Sequence, residues 1–330
     1  MLVSIYERIK MNIQELKSSL TLPIIVAPMF LVSGTELVIE SCKKGVLGTF
    51  PSLNGRTPQD FEHMLIEIRT ALESFKLETG TEPAPFAVNL IVNKTNPRLI
   101  PDLKLCIKYK VPLVITSLGA SQDVVDAIHQ YGGLVFHDII KKRHAEKAIE
   151  VGVDGIIAVA SGAGGHAGTA NPFALLDEIR SFYEGPLVLA GAINRGKDVI
   201  AAENMGADFA YMGTRFIATD ESLASNLYKA SLVDSHIDDV IYTDAVSGVY
   251  GNFLKSSIEK AGLDLSQKKE EDFSELSAQN DKGWKDIWSA GQGVAGIMSI
   301  STVSNLVDEI KSEYLEVLSR NAEKLKRIRG

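Results

Sequence analysis

Cysteine is scarce in this 330-residue sequence, which contains only Cys42 and Cys106. The two residues lie far apart and belong to no CxxC or Cys/His spacing, so neither a disulfide framework nor a zinc site is indicated. No histidine pair has HExxH spacing, and we expect no bound metal. Two unpaired cysteines suit a reducing compartment, and a cytoplasmic location is expected.

An excess of basic residues is also lacking. The chain has 34 Lys and Arg against 42 Asp and Glu, with a net charge of -8 and a pI near 5.4. A nucleic-acid partner would require a basic face, so we expect none. A small-molecule substrate is favoured instead.

Long apolar runs are absent too. Nowhere do about 18 apolar residues follow one another, and Glu7, Arg8 and Lys10 occur among the first residues. We therefore expect no secretory signal, no membrane span and no membrane partner. With 45% hydrophobic residues, the chain can still bury a large core.

Short apolar runs alternate with helical patterns along most of the chain. Between residues 22 and 216 there are eight such runs, each followed by a helical segment. From Gly152 to Arg215 the runs recur at about 25-residue spacing. This tally predicts a (β/α)8 TIM barrel, because a six-stranded doubly wound sheet would leave two strands unplaced.

Glycines and single polar residues follow several of the predicted strands. Ligand-handling residues of a barrel lie at the carboxyl ends of its strands, and glycines there let the backbone approach a bound group. The residues in such positions are Met29, Asn89, His166, Gly191 and Gly213. Each of these residues also has an explanation without a ligand. The glycines can simply form tight βα turns, Met29 can fill the core, and Asn89 can form a turn.

Three consecutive strand exits read SGAGGHAG, AGAINRG and MGTR. The first is not a dinucleotide fingerprint, because its last glycine comes one place too late for GxGxxG and it follows the sixth strand. Loops after strands seven and eight of a barrel commonly bind phosphate. An exposed charge at one helix terminus gains only about 0.3 to 1 kcal/mol, so burial of a large apolar ring is also needed. Flavin mononucleotide (FMN) meets both demands.

His166 is the one titratable side chain in the first of these glycine clusters. Imidazole titrates near neutral pH, so it can exchange a proton with a carbon acid or stabilise negative charge. The alternative is a histidine that only hydrogen-bonds its own loop.

Several segments together resemble the nitronate monooxygenases, formerly called 2-nitropropane dioxygenases. The matching segments are IVAPM at Ile25–Met29, Asn89, Arg143-His144-Ala145, AGGH at Ala163–His166, GAINRG, Met205–Asp208 and MGTRF at Met212–Phe216. AGGH is shared with flavin enoyl-ACP reductases and NADH:quinone reductases of the same superfamily. The resemblance covers nearly the whole chain and implies an FMN-dependent barrel that oxidises alkyl nitronates with O2 to carbonyl compounds and nitrite.

The resemblance also implies residue roles. His166 matches the catalytic base of the family. The residues implied in cofactor binding are Ala27, Pro28 and Met29 against the isoalloxazine, Asn89 beside it, Gly164 and Gly165 in the histidine loop, and Gly191, Ala192, Gly213 and Thr214 around the phosphate. The chain departs from the family at Asp138, where some relatives carry lysine, and at Val159, where some carry glutamine.

Two other functions stay open. One keeps FMN but uses NAD(P)H to reduce a quinone or an enoyl thioester. The other is a barrel without redox chemistry that binds a phosphate-bearing ligand. For the leading function we expect a nitronate and O2 as reaction partners, and we allow for a homodimer.

Three regions are expected along the chain. Residues 1–220 would form the FMN-binding barrel, residues 221–283 a helical segment covering the substrate, and residues 284–330 a segment and helix returning to the barrel. Within the cover, Tyr242, Tyr250 and Phe253 would either line an apolar substrate pocket or form a small core of their own. The pattern from Val303 to Ile328 predicts one long amphipathic helix.

Overall fold

Eight parallel strands form the central sheet of the protein, for which a computed structural model describes residues 12–267 and 286–329. The strands are β1 (Ile24–Val26), β2 (Thr49–Pro51), β3 (Ala87–Ile91), β4 (Leu113–Ser117), β5 (Leu134–Ile139), β6 (Gly155–Val159), β8 (Leu187–Ala190) and β9 (Phe209–Met212). Their order in space is β1-β9-β8-β6-β5-β4-β3-β2. Leu47, just before β2, donates its N–H to Ile24 O at 3.0 Å and accepts from Val26 N–H at 2.9 Å, which closes the sheet. The predicted TIM barrel is confirmed.

Helices follow the strands around the barrel. They are α1 (Ile13–Ser18), α2 (Thr35–Lys43), α3 (Pro58–Thr79), α4 (Leu99–Lys108), α5 (Gln122–His129), α6 (Lys142–Glu150), α7 (Pro172–Arg180), α8 (Gly196–Asn204), α9 (Thr214–Ile217), α10 (Asn226–Val233), α11 (Lys255–Ala261) and α12 (Val303–Arg329). The two ends of α3 show how local sequence sets the bounds of a helix. Thr57 and Asp60 form a capping box at its start, and Gly80 ends it with φ 69°. Over the described residues, no helix is both long and apolar enough to cross a bilayer.

Alternate residues along each strand divide between the barrel interior and the layer beneath the helices. Phe136 and Phe209 belong to the interior, where their ring centroids lie 6.4 Å apart. Leu16 of α1 is fully buried in the same cluster, so α1 covers the amino-terminal end of the barrel. The opposite end is left for the loops that carry the predicted site.

The segment after α9 covers the carboxyl end of the barrel. It contains α10 and α11 as expected, but also the strands β10 (Val240–Thr243) and β11 (Gly251–Leu254). These two strands pair antiparallel with each other and with β7 (Gly165–His166) from the barrel loop. The expectation of a helical cover was therefore incomplete, because strands of only four residues are too short to show a clear period of two. The boundaries of the three regions stay predictions, and residues 268–283 lie outside the described residues.

The last helix, α12, returns to the barrel and agrees with the predicted helix. It packs against α8, where the absence of a side chain at Gly196 permits close contact. A Cβ atom at Gly196 would lie 2.2 Å from Ile310 O. Glu313 accepts from Gly196 N–H at 2.9 Å, and the Tyr314 hydroxyl donates to Glu203 at 2.8 Å.

Candidate active site

A cavity of about 1390 Å³ opens at the carboxyl ends of the barrel strands. Pockets for a single drug-sized ligand usually enclose about 300 to 1,000 Å³, so this one has room for a cofactor together with a substrate. The residues expected to act here all line it, namely Ala27, Pro28, Met29, Asn89, Gly164, Gly165, His166, Gly191, Ala192, Gly213 and Thr214. Their roles in binding or catalysis stay predictions.

The exit of β1 forms one side of the cavity. Asn54 holds this exit, because its Nδ2 donates to Met29 O at 3.0 Å and its Oδ1 accepts from Leu31 N–H at 2.9 Å. Across from it, a Cβ atom at Gly213 would lie 3.4 Å from Ala27 Cβ and 3.7 Å from Met29 Sδ. The bare backbone of Gly213 therefore leaves open the space beside Ala27 and Met29.

The exits of β8 and β9 supply the backbone expected to hold a phosphate. Gly191 and Ala192 have φ values of 141° and 53°, so Ala192 occupies a conformation that side-chain-bearing residues rarely adopt. Thr214 begins α9, and the first N–H groups of a helix have no acceptor within the helix. The Thr214 hydroxyl accepts from Gly291 N–H at 2.9 Å. This bond ties the exit of β9 to the segment that precedes α12.

The glycine loop after β6 packs backbone to backbone against that same segment. Gln292 N–H donates to Gly162 O at 2.9 Å. A Cβ atom at Gly291 would lie 2.5 Å from Gly162 O, and one at Gly164 would lie 2.8 Å from Gly291 N. Gly164 and Gly291 thus allow the loop and the segment to approach closely.

His166 is held between the barrel and the cover. It pairs in register with Gly251 of β11, and its Nε2 lies 3.0 Å from the Ser247 hydroxyl. Ser247 Oγ also lies 3.0 Å from Val249 O, and Asn252 Nδ2 donates to Ala163 O at 2.7 Å. Burial lowers the pKa of His166 to about 4, so its imidazole is neutral at pH 7. Sequence reasoning missed Ser247 and Asn252, because they approach His166 only through the pairing of β7 with β11.

Three polar side chains lie in the uppermost interior layer of the barrel. Asn89, Ser117 and Asp138 occupy the inward-facing positions at the ends of β3, β4 and β5. Asn89 Nδ2 donates to Ser117 Oγ at 2.7 Å, and the Ser117 hydroxyl donates to Asp138 Oδ2 at 2.6 Å. Burial raises the pKa of Asp138 to about 7. The two-residue period of a strand could have identified Ser117 and Asp138 as inward-facing from the sequence.

The other strand-end histidine, His137, faces the opposite side of β5 from Asp138. Its Nδ1 lies 2.7 Å from the hydroxyl of Thr116, which is on the outward face of β4. Burial lowers the pKa of His137 to about 4. His137 borders the cavity, yet its hydrogen bond holds it between two strands rather than toward the interior layer.

The aromatic residues of the cover have two different positions. Tyr242 and Tyr250 are exposed and stack at 5.1 Å above the cavity, and the Tyr242 hydroxyl donates to Ala167 O at 2.9 Å. Phe253 is only 1% exposed and packs with Val246 and Ile258. All three residues line the cavity, and Phe253 also belongs to a small core of the cover; their role in a substrate pocket stays a prediction.

One rim of the cavity is formed by α6 and carries mostly basic side chains. Arg143, His144 and Lys147 border it together with Glu150. Burial lowers the pKa of His144, and the positive charges of Lys141, Arg143 and Lys147 lower it further. Within the described residues, Arg143 and Lys147 lie within ion-pair distance of no carboxylate. This rim can attract an anionic ligand.

Comparison with protein families gives a match to the model described as nitronate monooxygenase over residues 98–313. Among curated proteins, a nitronate monooxygenase of Neurospora crassa is 25% identical, with 90% of each chain covered. A probable nitronate monooxygenase of Staphylococcus saprophyticus is also 25% identical, over 80% of this chain and 77% of that protein.

Other curated relatives carry a different name. A hydroxy-methyl-oxo-octahydro-indene-carboxyl-CoA dehydrogenase of Rhodococcus jostii is 26% identical over 73% of this chain. The match spans 65% of the length of that relative, and 64% of the length of its namesake from Mycobacterium tuberculosis.

Two solved structures share the architecture. Nitroalkane oxidase from Streptomyces ansochromogenes superimposes with a TM-score of 0.77 at 23% identity, covering 92% of this chain and 99% of that one. FabK from Thermotoga maritima gives a TM-score of 0.78 at 23% identity, covering 94% and 98%. At this level of identity, the likeness shows the fold.

Proposed function

Because the chain belongs to the nitronate monooxygenase family, we propose that it is an FMN-dependent enzyme that oxidises alkyl nitronates with O2 to carbonyl compounds and nitrite. The observation that carries this proposal is the meeting of His166 with the expected cofactor-binding residues around one cavity. The family match confirms the expected family. The nitronate substrate and the FMN cofactor are proposed here.

The residues present fit FMN in two respects. The bare backbone at Gly213 leaves open space beside Ala27 and Met29, which suits a flat ring. The exits at Gly191 and Thr214 offer backbone N–H groups, which suit a phosphate. FMN would supply the electron transfer, and the protein would supply placement and electrostatics.

His166 fits the role of a base toward a neutral nitroalkane. A neutral imidazole can take the proton from the carbon beside the nitro group, and the electron pair of the broken C–H bond then passes to the nitro oxygens. The resulting nitronate is an anion, and an adjacent negative charge stabilises the imidazolium that burial alone disfavours. A nitronate supplied as such is already deprotonated and does not require this step. Ser247 orients the ring.

Anaerobic mixing of the purified protein with propyl-2-nitronate and, separately, with NADH tests the proposal. We expect the flavin absorbance to bleach with the nitronate and to persist with NADH. Bleaching by NADH alone would contradict the proposal. A colourless protein that takes up no flavin would favour a barrel without redox chemistry.

A second candidate is an FMN enzyme that uses NAD(P)H to reduce a quinone or a thioester. Arg143 and Lys147, the two cations of the α6 rim, favour it, because a phosphate-bearing substrate carries more negative charge than a small nitronate. The relatives named as carboxyl-CoA dehydrogenases also point to a phosphate-bearing substrate. If this function is correct, replacing Arg143 and Lys147 by alanine raises the KM for NADH and leaves the KM for a nitronate unchanged.

A further inference from the structure

The uppermost interior layer of the barrel has polar side chains on three neighbouring strands and one tyrosine on a strand across the barrel. Its inward-facing positions belong to Asn89, Ser117, Asp138, Val159, Ala190 and Tyr211. The polar members lie on β3, β4, β5 and β9, whereas Val159 and Ala190 lie on β6 and β8. A ligand that rests on this layer therefore meets polar groups from β3, β4 and β5 on one side and the Tyr211 hydroxyl from β9 across the barrel.

Two buried polar atoms in this layer have no hydrogen-bond partner in the part of the chain that the structure describes. The single hydrogen of the Ser117 hydroxyl goes to Asp138 Oδ2, and Asn89 donates to the same Ser117 oxygen. Within the described residues, Asp138 Oδ1 and the Tyr211 hydroxyl are buried and form no hydrogen bond. A buried polar group left unsatisfied costs roughly 1 to 3 kcal/mol. Both residues line the cavity, so a bound ligand can supply the missing partners.

The surroundings of Asp138 favour its protonated form. Burial raises the pKa of the Tyr211 hydroxyl, and a negative charge on Asp138 raises it further, so these two groups interact electrostatically. His137 lies on the opposite face of β5. No carboxylate, amine or imidazole is contributed by the neighbouring strands β4 and β6.

The helices that pack on β5 carry further charges beneath the outer face of the sheet. On α5 these are Asp123, Asp126 and His129, and on α6 Lys142, Arg143, His144, Glu146, Lys147 and Glu150. His166 belongs to the loop above the layer. Within the described residues, none of the cations among them forms an ion pair with Asp138. A carboxyl group so enclosed, with no counter-ion, is more stable when neutral.

We propose that protonated Asp138 and the Tyr211 hydroxyl form a hydrogen-bonding site for the carbonyl-bearing edge of a planar heterocycle, and that ionisation of Asp138 weakens its binding. This inference rests on the proposed function, in which the heterocycle is the ring of FMN. The neutral carboxyl donates a hydrogen bond to a carbonyl oxygen, whereas the carboxylate repels it. Cofactor affinity is therefore coupled to the protonation of one side chain.

The dissociation constant of FMN, measured from the fluorescence of released flavin between about pH 6 and pH 9, tests the inference. We expect the dissociation constant of the wild-type protein to rise about tenfold or more over this range, which corresponds to about 1.4 kcal/mol per tenfold change. Asp138→Asn keeps a donor at every pH, so its dissociation constant should not depend on pH beyond the titration of FMN itself. Tyr211→Phe should bind FMN more weakly at every pH and keep the wild-type slope.

Asp123→Asn is the matched control, because it makes the same chemical change on the exposed face of α5. It should keep the wild-type pH dependence. A wild-type dissociation constant that does not change with pH, or an Asp138→Asn variant with the wild-type pH dependence, would overturn the inference and leave the proposed function standing. Failure of the wild-type protein to bind FMN at any pH would overturn both.

Infrared spectroscopy of the FMN-loaded protein gives a second measurement. The carbonyl band of a protonated carboxyl group should be present at about pH 6, disappear as the pH rises, and be missing from Asp138→Asn. Absence of that band from the wild-type protein at the acidic end would contradict a protonated Asp138.

Discussion

His166 and Asp138 show how one physical cause produces opposite shifts in one cavity. Burial disfavours the charged form of either group, so it lowers the pKa of His166 to about 4 and raises that of Asp138 to about 7. Both side chains therefore favour the neutral form over the pH interval between those values. A base and an acid can face the same ligand without forming an ion pair.

Replacing His166 by asparagine tests its assignment as the base. Asparagine removes the imidazole without adding a charge and leaves the expected cofactor-binding residues unchanged, so we expect the variant to keep its yellow cofactor and to lose turnover of neutral nitroalkane by about 10²- to 10⁴-fold. Steady-state kinetics with a nitroalkane and with its preformed nitronate measures this, and the nitronate should lose far less. His63→Asn on the exposed surface of α3 is the control. Unchanged nitroalkane turnover would remove His166 from the mechanism.

Asp138→Asn should change how stability depends on pH. The pKa of Asp138 rises from 3.8 in the unfolded chain to about 7 in the folded protein, so the folded state binds more protons between these values. Its contribution to the free energy of unfolding therefore falls as the pH rises from about 4 to about 7. The variant lacks this loss, so its stability relative to the wild type should increase over that interval, by at most about 4 kcal/mol.

Urea titrations at several pH values measure this difference. His166 and His137 have lowered pKa values and contribute the opposite slope, since the unfolded chain binds their protons first. The comparison with the wild type cancels their contribution. A stability difference that is the same at pH 4 and pH 8 would show that Asp138 titrates normally in the folded protein.

At the scale of elements, the glycine loop carrying His166 depends on a segment more than a hundred residues later in the chain. Gln292 bonds Gly162, and Gly291 bonds Thr214, so this one segment positions both the histidine loop and the exit of β9. The loop also extends the sheet of the cover through β7 and β11. The segment at residues 291–292 and strand β11, which both lie outside the barrel, thus hold the loop that carries His166.

Gly291→Ala should disturb this junction. The backbone at Gly291 suits alanine, with φ −86° and ψ 165°, but the new Cβ would approach Gly162 O to 2.5 Å. We expect a loss of about 1 to 3 kcal/mol in unfolding free energy, as for overpacking, together with reduced turnover per folded molecule. Thermal unfolding and kinetics on the same preparation measure both quantities.

Gly152→Ala is the matched control for that experiment. Its φ of 78° disfavours alanine, but no atom lies within 4 Å of the new Cβ. It should therefore lose stability through the backbone alone and keep full turnover per folded molecule. Equal loss of turnover in the two variants would show that the junction at Gly291 has no specific role.

At the scale of the whole molecule, α12 joins the end of the chain to the barrel. Beyond its contact with α8, it forms ion pairs from Asp308 to Lys44 at 2.8 Å and from Glu309 to Arg215 at 3.2 Å. Arg215 directly follows Thr214 of the expected phosphate site. The helix therefore supports the barrel close to, but outside, the cavity.

Gly196→Ala should weaken this attachment without altering the cavity. The new Cβ would meet Ile310 O and the Tyr314 N atom at 2.2 and 2.3 Å, which forces α8 and α12 apart. We expect a lower melting temperature, corresponding to about 1 to 3 kcal/mol, and unchanged turnover per folded molecule. Lys197→Ala, at the next and exposed position, should alter stability by no more than about 0.5 kcal/mol. A melting temperature equal to that of the wild type would contradict the close packing.

The sequence by itself determined the barrel, because its evidence is local. Apolar runs such as the one at Leu113–Ser117 and helical segments such as the one at Pro58–Thr79 alternate regularly, and their number admits one architecture. It also indicated His166 and the glycine exits, since strand ends of a barrel meet at one rim. These residues do line one cavity.

Only the tertiary structure decided which groups surround His166 and the glycine exits. Ser247 approaches His166 through antiparallel pairing, and Gly291 approaches Gly162 across the chain, so no local pattern connects either pair. The neutral forms of His166 and Asp138 depend on enclosure by residues from several elements, and desolvation is a property of the folded surroundings rather than of a residue type. Periodicity specifies where a chain is helical or extended, whereas burial and long-range contact exist only after the elements have packed.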